Sequence, residues 1–376
     1  MLFDIINTGV KMNIEIQNIL KKIEDYGYEA YIIGGYVRDY LLNIESTDID
    51  ICTNALPKDI IKIFNVKKET SSYGSITIHD GKYNFDITTY RKENNYQNRK
   101  PQNIEYTNNL LDDIKRRDFT INSICMNSEG QIFDYLNGQN DIYSRVIRVI
   151  GNTYEKLSED PLRILRAIRF SIILDFDLDE EIISFIKNYK QLVSTLSYTR
   201  KKEELDKIFA SKNIEKGLNI LKEYNLLPYL SIEYDKIVCV PDLLGIWAQI
   251  DYSELYPFNK NNKRIISNIR TVICDGVIDN YTLYKYGLYI SSVAGEIIGI
   301  DKKEINEKYH KLAIKNENDL AIKQSDIIDI LSFKPSIKIK RIYKDLIINV
   351  IYNKLDNDYE TLKDYIITNW KWLHEQ

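Results

Sequence analysis

A short apolar run, Ala30-Tyr31-Ile32-Ile33, stops at two consecutive glycines, Gly34 and Gly35, and Asp48-Ile49-Asp50 follows soon after. The run predicts a strand, and Val37 to Leu42 a short helix behind the glycines. Bare backbone N–H groups at a strand-to-helix junction approach phosphate oxygens closely, and the helix N-terminus favours the anion. Arg38 adds a charge-assisted donor. Asp48 to Thr53 predicts a second strand, in which residues i and i+2 share a face, so Asp48 and Asp50 present two carboxylates side by side. Such a pair repels unless a cation compensates. Mg²⁺ suits it, taking one or two carboxylates together with substrate phosphates. Taken singly, the signals have plainer readings: a tight turn, a surface arginine and a solvent-facing strand edge. Together they put an anion grip and a cation site in one short segment.

Other elements extend this frame. Residues 13–27 read as an amphipathic helix, with Ile14, Ile16, Ile19, Leu20 and Ile23 near helical spacing and Gly27 as terminator. Leu56-Pro57 opens another helix. Ser75–His79 and Asn84–Tyr90 alternate around an Asp80-Gly81 turn. Asp86 lies on the second of these strands and completes a carboxylate triad if the strands pair. Such a triad holds two Mg²⁺ for in-line attack on a phosphate. The first 150 residues therefore read as mixed α/β. Beyond Tyr154 helical periodicity takes over, with joints near residues 155, 225 and 315 and no internal repeat.

Two later segments carry charge in a pattern. In Arg116-Arg117-Asp118-Phe119-Thr120-Ile121-Asn122, the plain reading is an ion pair at a helix end. The functional one gives Arg117 a triphosphate or sugar contact and lets Asn122 reach the nucleotide. In Glu159-Asp160-Pro161-Leu162-Arg163-Ile164-Leu165-Arg166-Ala167-Ile168-Arg169-Phe170, a helix would make Asp160 and Arg163 neighbours at i,i+3. Cytosine and adenine both present an exocyclic amine beside a ring-nitrogen acceptor, which an acceptor–donor pair of side chains matches. Uracil and guanine present the opposite order. Arg166 and Arg169 lie further round the helix, towards phosphates. The plain reading is an amphipathic helix with internal ion pairs.

Composition excludes several classes. Lys+Arg is 51 against 55 Asp+Glu, a net charge of −4, so the chain is not a basic nucleic-acid coat, although a local basic groove is compatible with that total. Only His79, His310 and His374 occur, which leaves no His-rich metal site. Cys52, Cys125, Cys239 and Cys274 show no CxxC spacing and read as buried thiols of a reduced, cytoplasmic protein. No apolar run reaches the ~18 residues of a membrane span. The opening MLFDIINTGVK lacks the order of a signal peptide. No protein partner is evident.

At this point the chain resembles the class II tRNA nucleotidyltransferases, the bacterial CCA-adding enzymes, and their poly(A) polymerase relatives. The resemblance rests on GGYVRDYLLNIESTDIDICTNALP, FDITTY, DDIKRRDFTINSICMN and EDPLRILRAIRF, with TRKKEELDKIF at Thr199–Phe209 similar to the family's neck motif. It implies an α+β head of the polymerase-β-like nucleotidyltransferase type, five-stranded, followed by an all-α neck, body and tail. The corresponding spans are 1–155, 156–225, 226–315 and 316–376. It also implies template-independent addition of C, C and A to the tRNA 3′ end from CTP and ATP, with Mg²⁺ as cofactor. Asp48 and Asp50 would bind the metal, with Asp86 as third carboxylate. Gly34, Gly35, Arg38 and Arg117 would hold the triphosphate, and Asp160 and Arg163 would select the base, supported by Arg166 and Arg169.

Two positions depart from the family pattern: Thr199, where a Glu is usual, puts the local ion pairing in doubt, and Tyr36 replaces a small residue. Lys334, Lys338, Lys340, Arg341 and Lys344 cluster near the C-terminus and suit the phosphates of an RNA stem. Arg91 to Gln102 reads as a polar, mobile loop; in the family a flexible loop here serves the switch from C to A addition, which argues against a CC-only enzyme. A CC- or A-adding specialist, a poly(A) polymerase and a non-catalytic RNA-binding protein on a degenerate head are the alternatives. The last would have lost a metal carboxylate, and all three are present.

Overall fold

The structure, a computed structural model, describes residues 12–66, 75–97, 100–332 and 337–370. The chain divides into two compact units, Met1–Ser231 and Ile232–Gln376.

The first unit opens with α1 (Ile14–Glu24), whose N-cap Asn13 accepts from the Glu15 N–H at 2.7 Å and whose Ile16, Ile19, Leu20 and Ile23 are buried. Then come β1 (Ala30–Ile33), α2 (Gly35–Leu41), β2 (Asp48–Thr53), α3 (Pro57–Phe64), β3 (Ser75–Asp80) and β4 (Tyr83–Thr89). β5 (Arg91–Gln97), β6 (Lys100–Tyr106), α4 (Leu110–Lys115), a 3-10 turn at Thr120–Asn122, β7 (Cys125–Met126), β8 (Ile132–Phe133), α5 (Gly138–Tyr143) and β9 (Val146–Ile147) follow.

The main sheet has the order β3-β4-β2-β1-β7-β8, six strands where five were expected. The sixth is the two-residue β8, too short to show as an alternating run in the sequence. β2 and β4 are parallel, with Asp50 opposite Asp86 and Asp48 opposite Asn84. β1 is antiparallel to β2 and sets Ile33 opposite Asp50. Ile49, Ile51, Phe85 and Ile87 are buried on one sheet face, while Asp48, Asp50 and Asp86 are exposed on the other. Burial of that apolar set fixes the register, since a one-residue slip would bury the carboxylates.

The loop expected at residues 91–102 is a two-stranded antiparallel ladder, β5 on β6, with Arg91 opposite Tyr106 and Gln97 opposite Lys100. Backbone pairing in a hairpin does not require apolar side chains, which is why a polar stretch concealed it. Its base is tied to α4. Glu93 accepts from Arg91 Nε at 2.7 Å and from Arg116 Nη1 at 3.3 Å, and Lys92 meets Asp112 at 3.1 Å.

α6 (Thr153–Glu159), α7 (Leu162–Leu174), β10 (Asp177–Leu178), α8 (Glu180–Tyr189), α9 (Tyr198–Phe209), α10 (Ile214–Glu223) and α11 (Leu227–Leu230) complete the unit. The helical part is not all-α: β10 pairs in parallel with β9, stitching Leu178 to Ile147.

In the second unit, β11 (Ile232–Glu233) pairs with β12 (Asp251–Tyr252) around α12 (Leu243–Ala248). Trp247 is fully buried, its ring 5.4, 5.3 and 5.1 Å from Tyr252, Tyr256 and Phe258. Then follow α13 (Lys260–Asp275), α14 (Asn280–Ile298), α15 (Lys302–His310), α16 (Gln324–Leu331), α17 (Ile337–Ile351) and α18 (Tyr359–Trp370). α14 breaks at Gly287, with φ 75° and ψ 173°, a combination that only glycine adopts without strain. Of the four free cysteines, Cys52 and Cys125 are buried as expected, but Cys239 is half-buried and Cys274 exposed. Among the described residues no helix is long and apolar enough to cross a membrane.

Candidate active site

Where β1 meets α2, Gly34 has φ 86° and ψ −136°. A Cβ there would lie 3.1 Å from Asp50 Oδ2 and 3.7 Å from Arg117 Nη1. The glycine thus turns the chain and leaves room for a carboxylate and a guanidinium beside the helix N-terminus. A cavity of about 470 Å³ opens here, lined by Gly34, Gly35, Arg38, Asp50, Arg117, Asp118, Asn122, Asp160, Leu162, Arg163, Arg166 and Phe170. Nine residues expected from sequence line it or touch its machinery from one shared space. Tyr36 does not: it lines a separate cavity with Tyr40 and Tyr83, away from the glycine turn.

Asp48 and Asp86 flank Asp50 on the same sheet face but do not line the cavity. Asp48 Oδ1 accepts from Asn84 Nδ2 at 3.0 Å, and Asp86 Oδ1 from Thr77 Oγ1 at 2.6 Å. Solvent reaches Asp50, yet the cavity walls strip enough of its hydration to raise its carboxyl above the usual value; Asp86 and Asp48 add repulsion, against the pull of Arg117 and Arg166. That repulsion is what a divalent cation would relieve. Among the described residues no group of three carboxylate, imidazole or thiol side chains cages a cation by itself. The arrangement fits a divalent cation held by one or two carboxylates with substrate oxygens completing its shell.

The cationic side is built by pairing. Arg38 is buried and donates to Asp39 Oδ1 from Nε (2.9 Å) and Nη2 (2.7 Å), and from Nη1 to Asn122 Oδ1 at 2.8 Å. Asn122 therefore orients Arg38 as well as lining the cavity. Arg117 Nη2 donates to the fully buried Asp113 at 3.1 Å. Burial alone would lower the Arg117 guanidinium, but Asp113 and Asp50 hold it above its ordinary value. Arg116 also meets Asp113, so an ion pair does stand at the end of α4, and Arg117 lines the cavity as well. Arg166 donates to Asp118 Oδ2 from Nε at 2.8 Å and from Nη2. Burial would raise the Asp118 carboxyl, but Arg166 and the Phe119 N–H bring it below the usual range.

Asp160 and Arg163 both line the cavity, but not as neighbours on one helix. Asp160 caps the C-terminus of α6 with extended φ −138° and ψ 95°, Pro161 intervenes, and Arg163 is the second residue of α7. The residue before a proline is driven out of the helical region. Asp160 Oδ1 accepts from the Leu162 N–H at 3.1 Å, and Arg163 Nη1 donates to Lys156 O at 2.7 Å. Arg169 does not line the cavity. It lies buried behind it, 3.3 Å from Glu204 of α9, also buried.

Residues 30–148 match the family described as "Poly A polymerase head domain", residues 175–236 "Probable RNA and SrmB-binding site of polymerase A", and residues 258–366 tRNA nucleotidyltransferase domain 2. The CCA-adding enzyme of Ligilactobacillus salivarius is 31% identical over 391 residues, covering 95% of this chain and 96% of the relative. The chain belongs to the CCA-adding enzyme family. That of Limosilactobacillus reuteri is 30% identical, covering 93% and 94%. The fold is shared with the structure of the Bacillus stearothermophilus CCA-adding enzyme in complex with CTP, at a TM-score of 0.86 and 24% identity over 97% of this chain and 100% of that one.

Nucleotidyltransferases, the class to which CCA-adding enzymes belong, generally use divalent metals. Within this member, sequence reasoning missed Asp113, Asp118, Glu204 and Phe170, which pair with or stack on the named arginines. Only Asp113 carried a local signal, its i,i+3 and i,i+4 spacing to Arg116 and Arg117 on α4. Thr199 is exposed, and α9 keeps other pairs, Arg200–Glu203 at 2.7 Å and Lys202–Asp206.

Proposed function

We propose that this chain adds C, C and A in turn to the 3′ end of tRNA, using CTP and ATP without a nucleic-acid template and releasing diphosphate. The observation that carries this reading is the single cavity that brings Asp50, the Gly34–Gly35 turn and Arg117 together with Asp160 and Arg163. One side suits a triphosphate and the other a base edge. Family membership supplies the acceptor.

In this reading Asp48 and Asp50 hold Mg²⁺ and Asp86 is the third carboxylate. The ions, when bound, supply charge to the reacting phosphate oxygens. Gly34 and Gly35 offer backbone N–H groups to the triphosphate, while Arg38 and Arg117 fix its orientation, which places the α-phosphorus for attack. The RNA 3′-oxygen bonds to that phosphorus and gives up its proton to solvent, and the bond from the phosphorus to the bridging β-phosphate oxygen breaks, releasing diphosphate. Asp160 accepts from the exocyclic amine of cytosine or adenine and Arg163 donates to the adjacent ring nitrogen. Uracil and guanine leave both groups mispaired, at a cost of about 1–3 kcal/mol each. Arg163→Ala is expected to lower the preference for CTP and ATP over UTP and GTP by roughly 10- to 100-fold. Competition assays at fixed metal check it; an unchanged preference removes Arg163 from base selection.

Head, neck, body and tail are assigned to 1–155, 156–225, 226–315 and 316–376, and the unit boundary after Ser231 lies close to the second of these joints. Lys338, Lys340, Arg341 and Lys344 are exposed on α17, whose Ile339, Ile342, Leu346 and Val350 are buried; Lys334 lies outside the described residues. That free face suits the tRNA stem, and a cytoplasmic location accords with the substrate.

The deciding experiment is extension of a tRNA transcript ending at the discriminator base, with Mg²⁺ and CTP, ATP or both. Two nucleotides from CTP alone and three from both are expected. Stopping at two with both defines a CC-adding specialist. Long tails from ATP define a poly(A) polymerase, and no extension overturns the catalytic reading.

Gly34→Ala tests the turn. Positive φ and the 3.1 Å approach to Asp50 together predict a loss of about 1–3 kcal/mol in stability and displacement of the carboxylate. Turnover should fall at least tenfold at temperatures where the variant is still folded by circular dichroism. Wild-type turnover would show that the turn has slack.

A further inference from the structure

We propose that Phe170 is the positioning residue of the triphosphate grip, a ring that sets Arg38 of the grip against Arg166 at the cavity and Arg169 behind it without adding charge. The proposal rests on the nucleotide-transfer reading above and deepens it. Phe170 is half-buried on the cavity wall. The guanidinium carbons of Arg38, Arg166 and Arg169 lie 5.3, 5.5 and 4.4 Å from its ring centroid. Phe119, fully buried, meets the same ring edge-on at 5.6 Å and 80°, which holds its plane.

Three cations gathered this closely repel one another. Proteins usually answer with carboxylates, and here each arginine does have one acidic partner at its rim: Asp39, Asp118 and Glu204. A further carboxylate at the centre would cancel the field that an incoming polyphosphate needs. An aromatic face attracts cations through its quadrupole and carries no net charge. Phe170 therefore holds the cluster together without adding a fourth negative charge to the three carboxylates already paired with it. Arg38 comes from α2 on the sheet side and Arg166 and Arg169 from α7, so one ring also sets the spacing between guanidiniums of separate elements.

The test uses the full chain with Phe170→Leu, Phe170→Met and Phe170→Tyr. KM is measured for CTP, ATP and tRNA, together with inhibition by inorganic diphosphate, which has neither base nor sugar, and its binding with Mg²⁺ by calorimetry. Phe170→Leu is expected to raise KM for CTP and ATP equally, by about tenfold, and to weaken diphosphate by the same factor. KM for tRNA and the preference for C and A over U and G should not move. Phe170→Tyr keeps the ring and should restore both constants. Phe170→Met, unbranched and more adaptable to the space left by the ring, carries the same expectation as Leu and stands in if Leu does not fold. A rise in nucleotide KM with unchanged diphosphate binding would mean that the ring touches base or sugar, and overturns the proposal. So would a Tyr variant as weak as Leu, or no change in any variant. Failure of the wild type to extend RNA, with diphosphate binding intact and Phe170-dependent, would instead sink the transfer reading alone.

Discussion

Asp50→Asn is expected to reduce nucleotide transfer by about a thousandfold or more while leaving the fold intact. The substitution keeps shape and removes charge at the one carboxylate that both lines the cavity and abuts the glycine turn. Its consequence for stability has a definite sign. Loss of hydration against the cavity walls, with repulsion from Asp86 and Asp48, outweighs the pull of Arg117 and Arg166 and raises the Asp50 carboxyl in the folded chain. Such a group costs stability once pH rises past its ordinary value near 3.8. A neutral amide avoids that cost, so the melting midpoint at neutral pH should match or exceed the wild type. Asp48→Asn is expected to lose transfer similarly. Near-wild-type turnover in either variant would remove that residue from the metal site. A collapse in melting temperature would show that Asp50 is structural.

The second large effect falls on stability. Glu204→Ala would strip the buried Arg169 of its paired carboxylate, and breaking one side of a buried pair costs about 3–5 kcal/mol. For a unit of this size the midpoint should drop by roughly 10 °C. The double replacement Glu204→Leu with Arg169→Met removes both charges and should recover most of that loss. A single variant that melts like the wild type would mean that water or another group satisfies Arg169. The pair approaches to 3.3 Å without hydrogen-bond geometry, so charge rather than a directional bond joins Arg169 to Glu204.

What could be read in advance divides along physical lines. The strand, glycine pair and helix, and the alternation that puts Asp48 and Asp50 on one face, depend on neighbours in sequence, and they were legible. The alignment of Asp50 with Asp86 required strand pairing and was available only as a conditional. The β5–β6 hairpin escaped because its Asn, Lys and Gln side chains mask a backbone ladder anchored by Glu93 and Arg116. Asp118–Arg166 and Glu204–Arg169 join residues far apart in the chain, and no spacing rule reports such meetings. Pro161 was the opposite case: it stood in plain sight between Asp160 and Arg163, and helix periodicity was carried across it.

That proline has a mechanical consequence. Two side chains on one helix keep a fixed gauge, since they ride on a rigid cylinder. Asp160 and Arg163 are mounted on opposite sides of a joint, with the Asp160 torsions at −138° and 95° setting the offset. Bonds that cross the joint, Leu162 N–H to Asp160 Oδ1 at 3.1 Å and Arg163 Nη1 to Lys156 O at 2.7 Å, hold that offset. The gauge between the two side chains is therefore set at the joint and not by the pitch of a helix.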